Sequence, residues 1–318
     1  MTDNLIQNSI TQFPLVFPDA SVSEAGLIIL GFHFDRFISN QAGTILGDDI
    51  EALHDMRVAS RRLRVAVGLF GQYYDKKVIR RISKGLTKTG KNLGRVRDFD
   101  VLIEKMDHFL EDLPQEDIVD LVLFKDYLNS KRNICREKML KFFQRKKYRK
   151  FTNQFDNFLN TGKNAGIFPE PVNDGSKTSY QIIKNKIDTV ISRGSTLERP
   201  TITQLHKLRI AFKQLRYSIE FFGNSIGEQT SECVDLLKII QDHLGEINDI
   251  NLILIELEVF IQDRLIMEGL GWELQNYQNV DKFRTKRQAE LTTLVSQFPV
   301  IWKEFTRKPF MKILFPEI

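Results

Sequence analysis

The sequence predicts an all-α protein, and three observations lead to this prediction. Apolar residues recur at three- and four-residue intervals through most of the 318 residues, as they do on one face of an α-helix. Helix-capping sequences precede several of these segments, whereas the alternation of polar and apolar residues that indicates β-strands is scarce. One helical pattern also occurs twice, and each half of the chain holds about four helical segments. We therefore expect helical bundles.

Capping sequences mark where the first helices begin. Ser21-Val-Ser-Glu24 has the pattern of a capping box, and it predicts a helix that runs to about Leu46. Asp48-Asp-Ile-Glu51 opens the next helix, and Thr201-Ile-Thr-Gln204 opens its counterpart in the second half of the chain. The two counterpart helices therefore start with the same chemistry.

These two helices carry nearly the same sequence. The chain reads "LHDMRVASRRLR" at 53–64 and "LHKLRIAFKQLR" at 205–216. The similarity continues in "LGRVRDFD" and "LGEINDIN", and the offset between the copies changes only from 152 to 151 residues. We interpret the chain as an internal duplication of one half-molecule, because this period is far longer than that of a solenoid repeat.

Composition divides the chain near its middle. Gly, Pro, Asn and Asp replace the apolar periodicity over residues 161–179. Leu113-Pro114 and Gly223-Asn224 predict further breaks between helices. We divide the chain into an N-terminal extension (1–20), a first helical bundle (21–165), a linker (166–179) and a second helical bundle (180–318).

The composition also excludes several classes of protein. Cys135 and Cys233 are far apart and show neither disulfide-framework nor zinc-ligand spacing. The apolar run over residues 26–34 is too short to cross a bilayer, and no basic leader precedes it. We expect a soluble, cytoplasmic protein that needs no cofactor and holds no metal ion.

The positive charge is clustered, although the formal net charge is only +5. Residues 54–100 contain thirteen Lys or Arg against four Asp or Glu, and residues 131–150 contain ten against one. The rest of the chain must therefore be acidic, and the molecule should be electrically polarised. Clustered cations of this kind indicate a polyanionic partner.

The repeated helices each carry a narrow cationic strip on an otherwise apolar surface. At about 100° per residue, one histidine and three cations of each helix fall within an arc of roughly 80°. A third row, on the helix that follows the first copy, spans about 60°. Like charges at one-turn spacing repel one another, which favours an anion lying along them. The strips are His54, Arg57, Arg61 and Arg64, then His206, Arg209, Lys213 and Arg216, and the third row is Lys84, Lys88, Lys91 and Arg95.

Other interpretations of the strips are weaker. A solvated helix face normally mixes charges of both signs, but Asp55 is the only anion between His54 and Arg64. Histidines surrounded by cations are poor metal ligands, and a phosphorelay needs one reactive histidine rather than a row of cations. Nucleic acid is the serious rival, but the aromatic stacking platforms that would accompany the cations are missing. The Phe residues, including Phe70 and Phe222, have the spacing of a core.

The two motif copies, each followed by an LG-x-x-x-D segment, resemble the two halves of a CHAD domain, the conserved histidine α-helical domain. The resemblance extends over roughly Ser21 to Phe310. It implies two four-helix bundles related by pseudo-twofold symmetry, with the basic helices facing a shared groove. It also implies binding of inorganic polyphosphate without catalysis, and the chain has neither an ExExK strand nor a nucleophile–base pair that would indicate an enzyme.

When the two sequences are matched position by position, the resemblance implies that the residues of both strips and Arg62 bind polyphosphate. The LG-x-x-RD-x-D element is complete in the first half, whereas Gln214, Asn248, Asp242 and Glu246 replace cations in the second, so we expect an asymmetric site. Asp98 and Asp249 should orient arginines. We expect the histidines to gain protons when the polyanion binds. Further candidate contacts are Arg97, Arg132, Arg136 and Lys147.

Two other functions stay open from the sequence. The protein could be a scaffold that associates with polyphosphate granules or with polyphosphate-metabolising proteins, in which residues 131–150 contact a partner. It could also bind polyanions in general, with nucleic acid as the less favoured ligand.

Overall fold

The computed structural model describes residues 21–111, 113–165, 175–226, 229–268, 278–307 and 309–314. Within these ranges the chain forms helices and no β-strand, which confirms the all-α prediction. A 3₁₀ turn, Gly71–Tyr73, follows the third helix. The helices are α1 (Val22–Ser39), α2 (Gln41–Leu46), α3 (Ile50–Phe70), α4 (Lys76–Glu111), α5 (Gln115–Phe143), α6 (Lys146–Ala165), α7 (Gly175–Gly194), α8 (Ile202–Ile226), α9 (Gln229–Glu268), α10 (Gln278–Thr306) and α11 (Phe310–Leu314).

The predicted helix starts are present, but the first helix ends early. Ser21 and Glu24 form a complete capping box, and the side chain of Asp49 accepts a hydrogen bond from the backbone N–H of Glu51. The predicted single helix to Leu46 is interrupted at Asn40, whose side-chain amide donates to the carbonyl of Arg36 at 2.9 Å. An asparagine that hydrogen-bonds the backbone competes with the helix in this way, so α2 is a separate short helix.

Arg136 of α5 holds the end of α2. Its Nη2 donates to the carbonyl oxygens of Ile45 and Leu46, at 2.9 and 2.8 Å. These carbonyls have lost their intrahelical partners because the chain turns at Gly47, which adopts a left-handed conformation with φ +80°. A Cβ atom on Gly47 would overlap the guanidinium of Arg136.

Replacement of Gly47 by alanine is expected to destabilise the protein by about 1–2 kcal/mol, because a side chain in the left-handed region is strained. Gly68 is the matched control: it lies in α3, and a Cβ atom added to it would meet no other atom within 4 Å, so Gly68→Ala should stabilise by about 1 kcal/mol. Urea unfolding measures both. Equal effects of the two substitutions would contradict the role of Gly47.

The two halves of the chain share one hydrophobic core. α3 packs against α8, and the fully buried Phe70 contacts Phe221 and Phe222, with ring centroids 6.5 and 5.9 Å apart. One cluster of buried residues runs from α1 to α11 and draws on both halves. The two predicted bundles are therefore packed together through their motif helices. In the described ranges the second half has four long helices, whereas the first half has a fifth, α6.

A second apolar cluster joins the far ends of the long helices. It brings together residues of α4, α5, α9 and α10. Phe124 lies at its centre, with ring centroids 5.4 Å from Phe260 and 6.4 Å from Phe283. α4 and α9 are thus held together at their C-terminal parts, some distance from the motif strips.

The predicted boundaries hold in part. Pro114 is the N-cap of α5, as the Leu113-Pro114 break requires, and the break predicted at Gly223-Asn224 lies slightly later, since α8 ends at Ile226 and α9 begins at Gln229. α7 begins at Gly175, so the last five residues of the predicted linker are helical. The extension 1–20 and residues 166–174 lie outside the described ranges. The internal duplication stays a prediction.

Candidate functional site

The cationic strips of α3 and α8 meet where these helices pack. The charges of Arg57 and Arg61 on α3 act on Lys213 of α8. Arg61 also acts on Arg209 of α8, and Arg209 acts on Arg57. Arg216 completes the set through its effect on Lys213. We call these five residues the central cluster. Five cations from two helices therefore share one partly buried region.

Lys213 is the most perturbed member of the central cluster. Burial is the main cause that lowers the pKa of its ammonium group to about 6, and the charges of Arg61, Arg209, Arg57 and Arg216 act in the same direction. Arginine stays protonated even when it is buried, whereas a buried lysine can lose its proton. Lys213 is therefore the member of the central cluster that can lose its proton near neutral pH.

Three carboxylates lie beside these basic side chains, and one of them, Glu220, has its Oε1 3.4 Å from Nε of Arg216. Arg57 Nη2 donates to Asp98 Oδ1 at 2.7 Å, and the charge of Asp249 acts on Arg209. This contact confirms that Asp98 orients an arginine. Burial raises the pKa of Asp98, although the charges of Arg57, Arg61 and Arg209 oppose the rise. The carboxylates therefore neutralise only part of the positive charge.

Several donors of the central cluster have no protein partner. Within the described ranges, Arg61, Arg209 and Lys213 have no carboxylate oxygen within 4.0 Å. The buried Nε of Arg209 also has no hydrogen-bond acceptor there. Unbonded buried donors are uncommon and costly, which indicates that an acceptor from outside the protein fits at this place.

The third predicted row lies on α4 and is exposed. All four of its side chains, which we call the α4 row, are solvent-accessible, and none is within salt-bridging distance of a carboxylate in the described part of the chain. The row shares a face of α4 with Asp98, so it continues from the central cluster. The α4 row is Lys84, Lys88, Lys91 and Arg95.

The corresponding row of α9 has the opposite charge. At the 151-residue offset, the four cations of the α4 row correspond to three acids and one exposed isoleucine, Ile239, which is 65% exposed. Lys105 of α4 binds both Glu246 and Asp249, at 2.8 and 3.6 Å, so this face of α9 is turned toward α4. We call these residues the α9 row: Asp235, Ile239, Asp242 and Glu246.

The two motif histidines differ in their surroundings. Burial lowers the pKa of His54, and the charge of Arg97 adds to this effect, so its ring is neutral in the empty protein. His206 is exposed, and its Nδ1 lies 2.9 Å from Oδ1 of Asn248, the residue that replaces the arginine corresponding to Arg97. Because Oδ1 accepts, Nδ1 of His206 donates.

Arg62 is not part of the exposed strip, which corrects its assignment as a ligand contact. Its Nη2 donates to Glu220 Oε2 at 3.1 Å, and both side chains are buried, with 11% and 7% of their surfaces exposed. Arg216 approaches the same carboxylate at 3.4 Å. Burial holds the pKa of the adjacent His33 at about 3, with Arg62 as a further cause. Arg62 thus serves the packing of α3 against α8.

Two of the further candidates serve structural contacts as well. Arg132 Nε donates to the buried Asp100 at 2.8 Å, and Arg136 binds the end of α2. Lys147 is exposed at the start of α6, and Arg97 is half-buried beside His54. Of these four, only Arg97 acts on a residue of the motif strips.

The sequence analysis missed two residues that shape the site. Glu220 interrupts the apolar face of α8, which is a signal that could have identified it, since an unpaired acid would be costly there. Lys105 gave no such signal, because its partners Glu246 and Asp249 lie more than 140 residues away in the chain.

Two further kinds of site were sought in the described residues. No three His, Cys, Asp or Glu side chains there are grouped so that they could hold a metal ion. Of the helices described, none combines the length and the apolar character that a membrane-crossing segment requires.

Comparison with known proteins identifies the family. A family model for the CHAD domain matches residues 28–257. The crystal structure of the CHAD domain from the plant Ricinus communis is similar, with a TM-score of 0.72 and 22% identity over 92% of this chain and 94% of that one. PptA from Streptomyces chartreusis has a TM-score of 0.66 and 11% identity over 91% of this chain and 100% of that one. A search of curated proteins found no match. Because the family model covers well over half of the sequence, the chain belongs to the CHAD domain family.

Proposed function

We propose that this protein binds inorganic polyphosphate, without turning it over, in a basic groove formed by the central cluster and the α4 row. The observation that carries the proposal is the meeting of five basic side chains from α3 and α8, of which Arg61, Arg209 and Lys213 have no carboxylate oxygen within 4.0 Å in the described structure. An unneutralised cluster of this kind needs a ligand of high negative charge density. The CHAD resemblance supports polyphosphate as that ligand.

The side chains suit phosphoryl oxygens. Arginine presents two parallel N–H donors that fit a pair of oxygens, and it stays charged at any physiological pH. Arg61 and Arg209 have donors without a carboxylate partner in the described structure, so they are available at once. Arg57 must exchange or share Asp98, and Arg216 is turned partly toward Glu220. The strongest contacts should therefore come from Arg61, Arg209 and Lys213.

Binding without catalysis is part of the proposal. Hydrolysis of a phosphoanhydride needs an activated water or nucleophile, or a metal that serves the same purpose. The carboxylates beside the central cluster, Asp98, Asp249 and Glu220, each lie close to a cation and are not poised as a base. Incubation of the protein with polyphosphate and Mg²⁺, followed by measurement of released phosphate, tests this part directly.

The binding site is tested by a variant in which Arg57, Arg61, Arg209 and Lys213 are all changed to alanine. Labelled long-chain polyphosphate is displaced by unlabelled polyphosphate, single-stranded DNA, RNA or heparin at matched charge and near-physiological salt. We expect the wild-type protein to prefer polyphosphate by about tenfold or more, and the variant to lose at least about a hundredfold in affinity.

The control removes the same number of charges elsewhere. Arg145, Lys146, Arg149 and Lys150 are exposed at or just before the start of α6, and their replacement by alanine should leave polyphosphate affinity within about threefold of wild type. Melting curves establish that both variants are folded. Equal loss in the two variants, or equal displacement by every polyanion, would mean unspecific attraction and would favour the scaffold or nucleic-acid function.

A further inference from the structure

The walls of the proposed groove carry opposite charges. The α4 row offers four exposed cations, and at about 1.5 Å per residue it extends roughly 16 Å along its helix. The α9 row offers three acids, of which Asp235 and Asp242 are exposed. A polyanion that leaves the central cluster therefore meets attraction along α4 and repulsion along α9.

The ion pairs of α4 and α9 do not remove the difference in charge between the α4 row and the α9 row. Lys105 binds Glu246 and Asp249, which neutralises the acids nearest the α4–α9 contact. Farther along α9, Asp235 pairs with the exposed Lys238 of its own helix, at 2.8 Å. Asp242 has no cation within 4.0 Å among the described residues. Of the three acids of the α9 row, Asp242 is therefore the one that keeps an unpaired negative charge in the described structure, and that charge repels a ligand that passes along α9.

The central cluster favours the end of a chain over its middle. A terminal phosphoryl group ionises a second time with a pKa of about 6, so it carries nearly two negative charges at neutral pH, whereas an internal one carries a single charge. Basic side chains of two packed helices converge at the central cluster, where Arg57, Arg61, Arg209 and Arg216 all act on Lys213, whereas the α4 row is a single line of cations on one helix. The most highly charged group of the ligand is therefore most stable there.

From these two asymmetries we propose that the protein recognises the end of a polyphosphate chain: the terminal phosphoryl group occupies the central cluster and the rest of the chain leaves along the α4 row. This inference rests on the proposed function. It adds that a chain is engaged at its ends and is not covered along its length.

Stoichiometry tests end recognition. Two preparations of linear polyphosphate, differing about fourfold in mean length, are titrated with excess protein at near-physiological salt, and the copies bound per chain are determined by light scattering. End recognition gives two copies per chain at both lengths. A number of copies that grows with chain length overturns the inference but leaves the proposed function intact, whereas absence of binding overturns both.

A ring provides a second test, because cyclic hexametaphosphate has no terminal phosphoryl group. We expect it to compete at least about tenfold more weakly than linear hexaphosphate. Equal competition by cyclic hexametaphosphate and linear hexaphosphate would contradict end recognition.

Charge reversal on the α9 row should remove the restriction of binding to chain ends. In Asp235→Lys/Asp242→Lys, the α9 row attracts the ligand instead of repelling it, so a chain can leave the central cluster along α9 as well as along α4. Internal parts of the chain can then bind, and the copies bound per chain should increase with chain length. The control Asp156→Lys/Asp188→Lys makes the same change of charge at exposed positions of α6 and α7. It should keep two copies per chain. An unchanged stoichiometry in the α9 variant would show that the acidic wall does not direct the chain.

Discussion

The affinity for polyphosphate is expected to rise by at least about tenfold when the pH falls from 8 to 6, with Lys213 as the main cause. In the empty protein the pKa of Lys213 is about 6, so its amine is mostly neutral at pH 8. A bound polyanion stabilises the ammonium form and raises this pKa. Binding therefore takes up a proton, and proton uptake favours binding at lower pH.

Variants separate Lys213 from His54. Lys213 is faced by Arg57 and Arg61 from α3 and by Arg209 and Arg216 from its own helix, with the carboxylates of Asp98 and Asp249 beyond them. Lys213→Met should remove most of the pH dependence. His54→Gln should remove a smaller part, since burial lowers the pKa of His54, and the titration of the ligand's own terminal groups is common to all variants. A Lys213→Met protein with the full wild-type slope would refute the assignment.

The empty protein provides a second readout of the same group. Lysine in the unfolded chain has a pKa of about 10.4, well above the value of about 6 in the folded protein. The unfolded state therefore binds more protons between these values, and the free energy of unfolding rises with pH across that window. Urea unfolding at pH 6 and pH 9 should show this rise in the wild type and a smaller one in Lys213→Met.

Replacement of Glu220 by glutamine is expected to lower the free energy of unfolding by roughly 3–5 kcal/mol. Glu220 is the buried acceptor for Arg62 and is approached by Arg216, and both guanidinium groups lie over the ring of Tyr217, 5.6 and 5.4 Å from its centroid. Loss of the carboxylate removes a buried negative charge that Arg62 and Arg216 share. Removal of one partner from a buried ion pair is among the most destabilising changes a core can undergo.

The apolar double variant Arg62→Met/Glu220→Leu is the control. It removes both buried charges while keeping similar volume, so it should recover most of the lost stability. Arg216 keeps contact with water, because 23% of its side chain is exposed. If Glu220→Gln changes the free energy of unfolding by less than about 1 kcal/mol, the pair behaves like a surface ion pair and does not hold the halves together.

Helical periodicity predicted the composition of the central cluster but not of its surroundings. The positions of Arg57, Arg61 and Lys213 follow from a helical wheel, because a strip one residue wide must lie on one side of its helix. The family resemblance added Arg62, although it lies about 100° from Arg61 on the wheel. Neither could show that α8 covers this side of α3, where Glu220 accepts from Arg62.

Contacts between distant segments account for the remaining differences. Arg132 and Arg136 belong to a strongly basic stretch, which correctly indicates positive charge but does not reveal the buried Asp100 or the open carbonyls at the end of α2. The helix caps at Ser21 and Asp49 were predictable because capping depends on neighbours in sequence. The shared core was not, since it depends on the packing of α3 against α8.

In the proposed binding mode, Asp98 and Asp249 compete with the ligand for the basic side chains of the central cluster. Asp98 already orients Arg57, and the charge of Asp249 acts on Arg209, so the empty site is partly neutralised. A bound phosphoryl group must displace or share these carboxylates, which lowers the affinity below what the number of cations alone would suggest. Displacement of a carboxylate by a ligand is favourable only if the ligand carries more negative charge per pair of oxygens than the carboxylate does. In this binding mode, the two carboxylates therefore disfavour weakly charged anions.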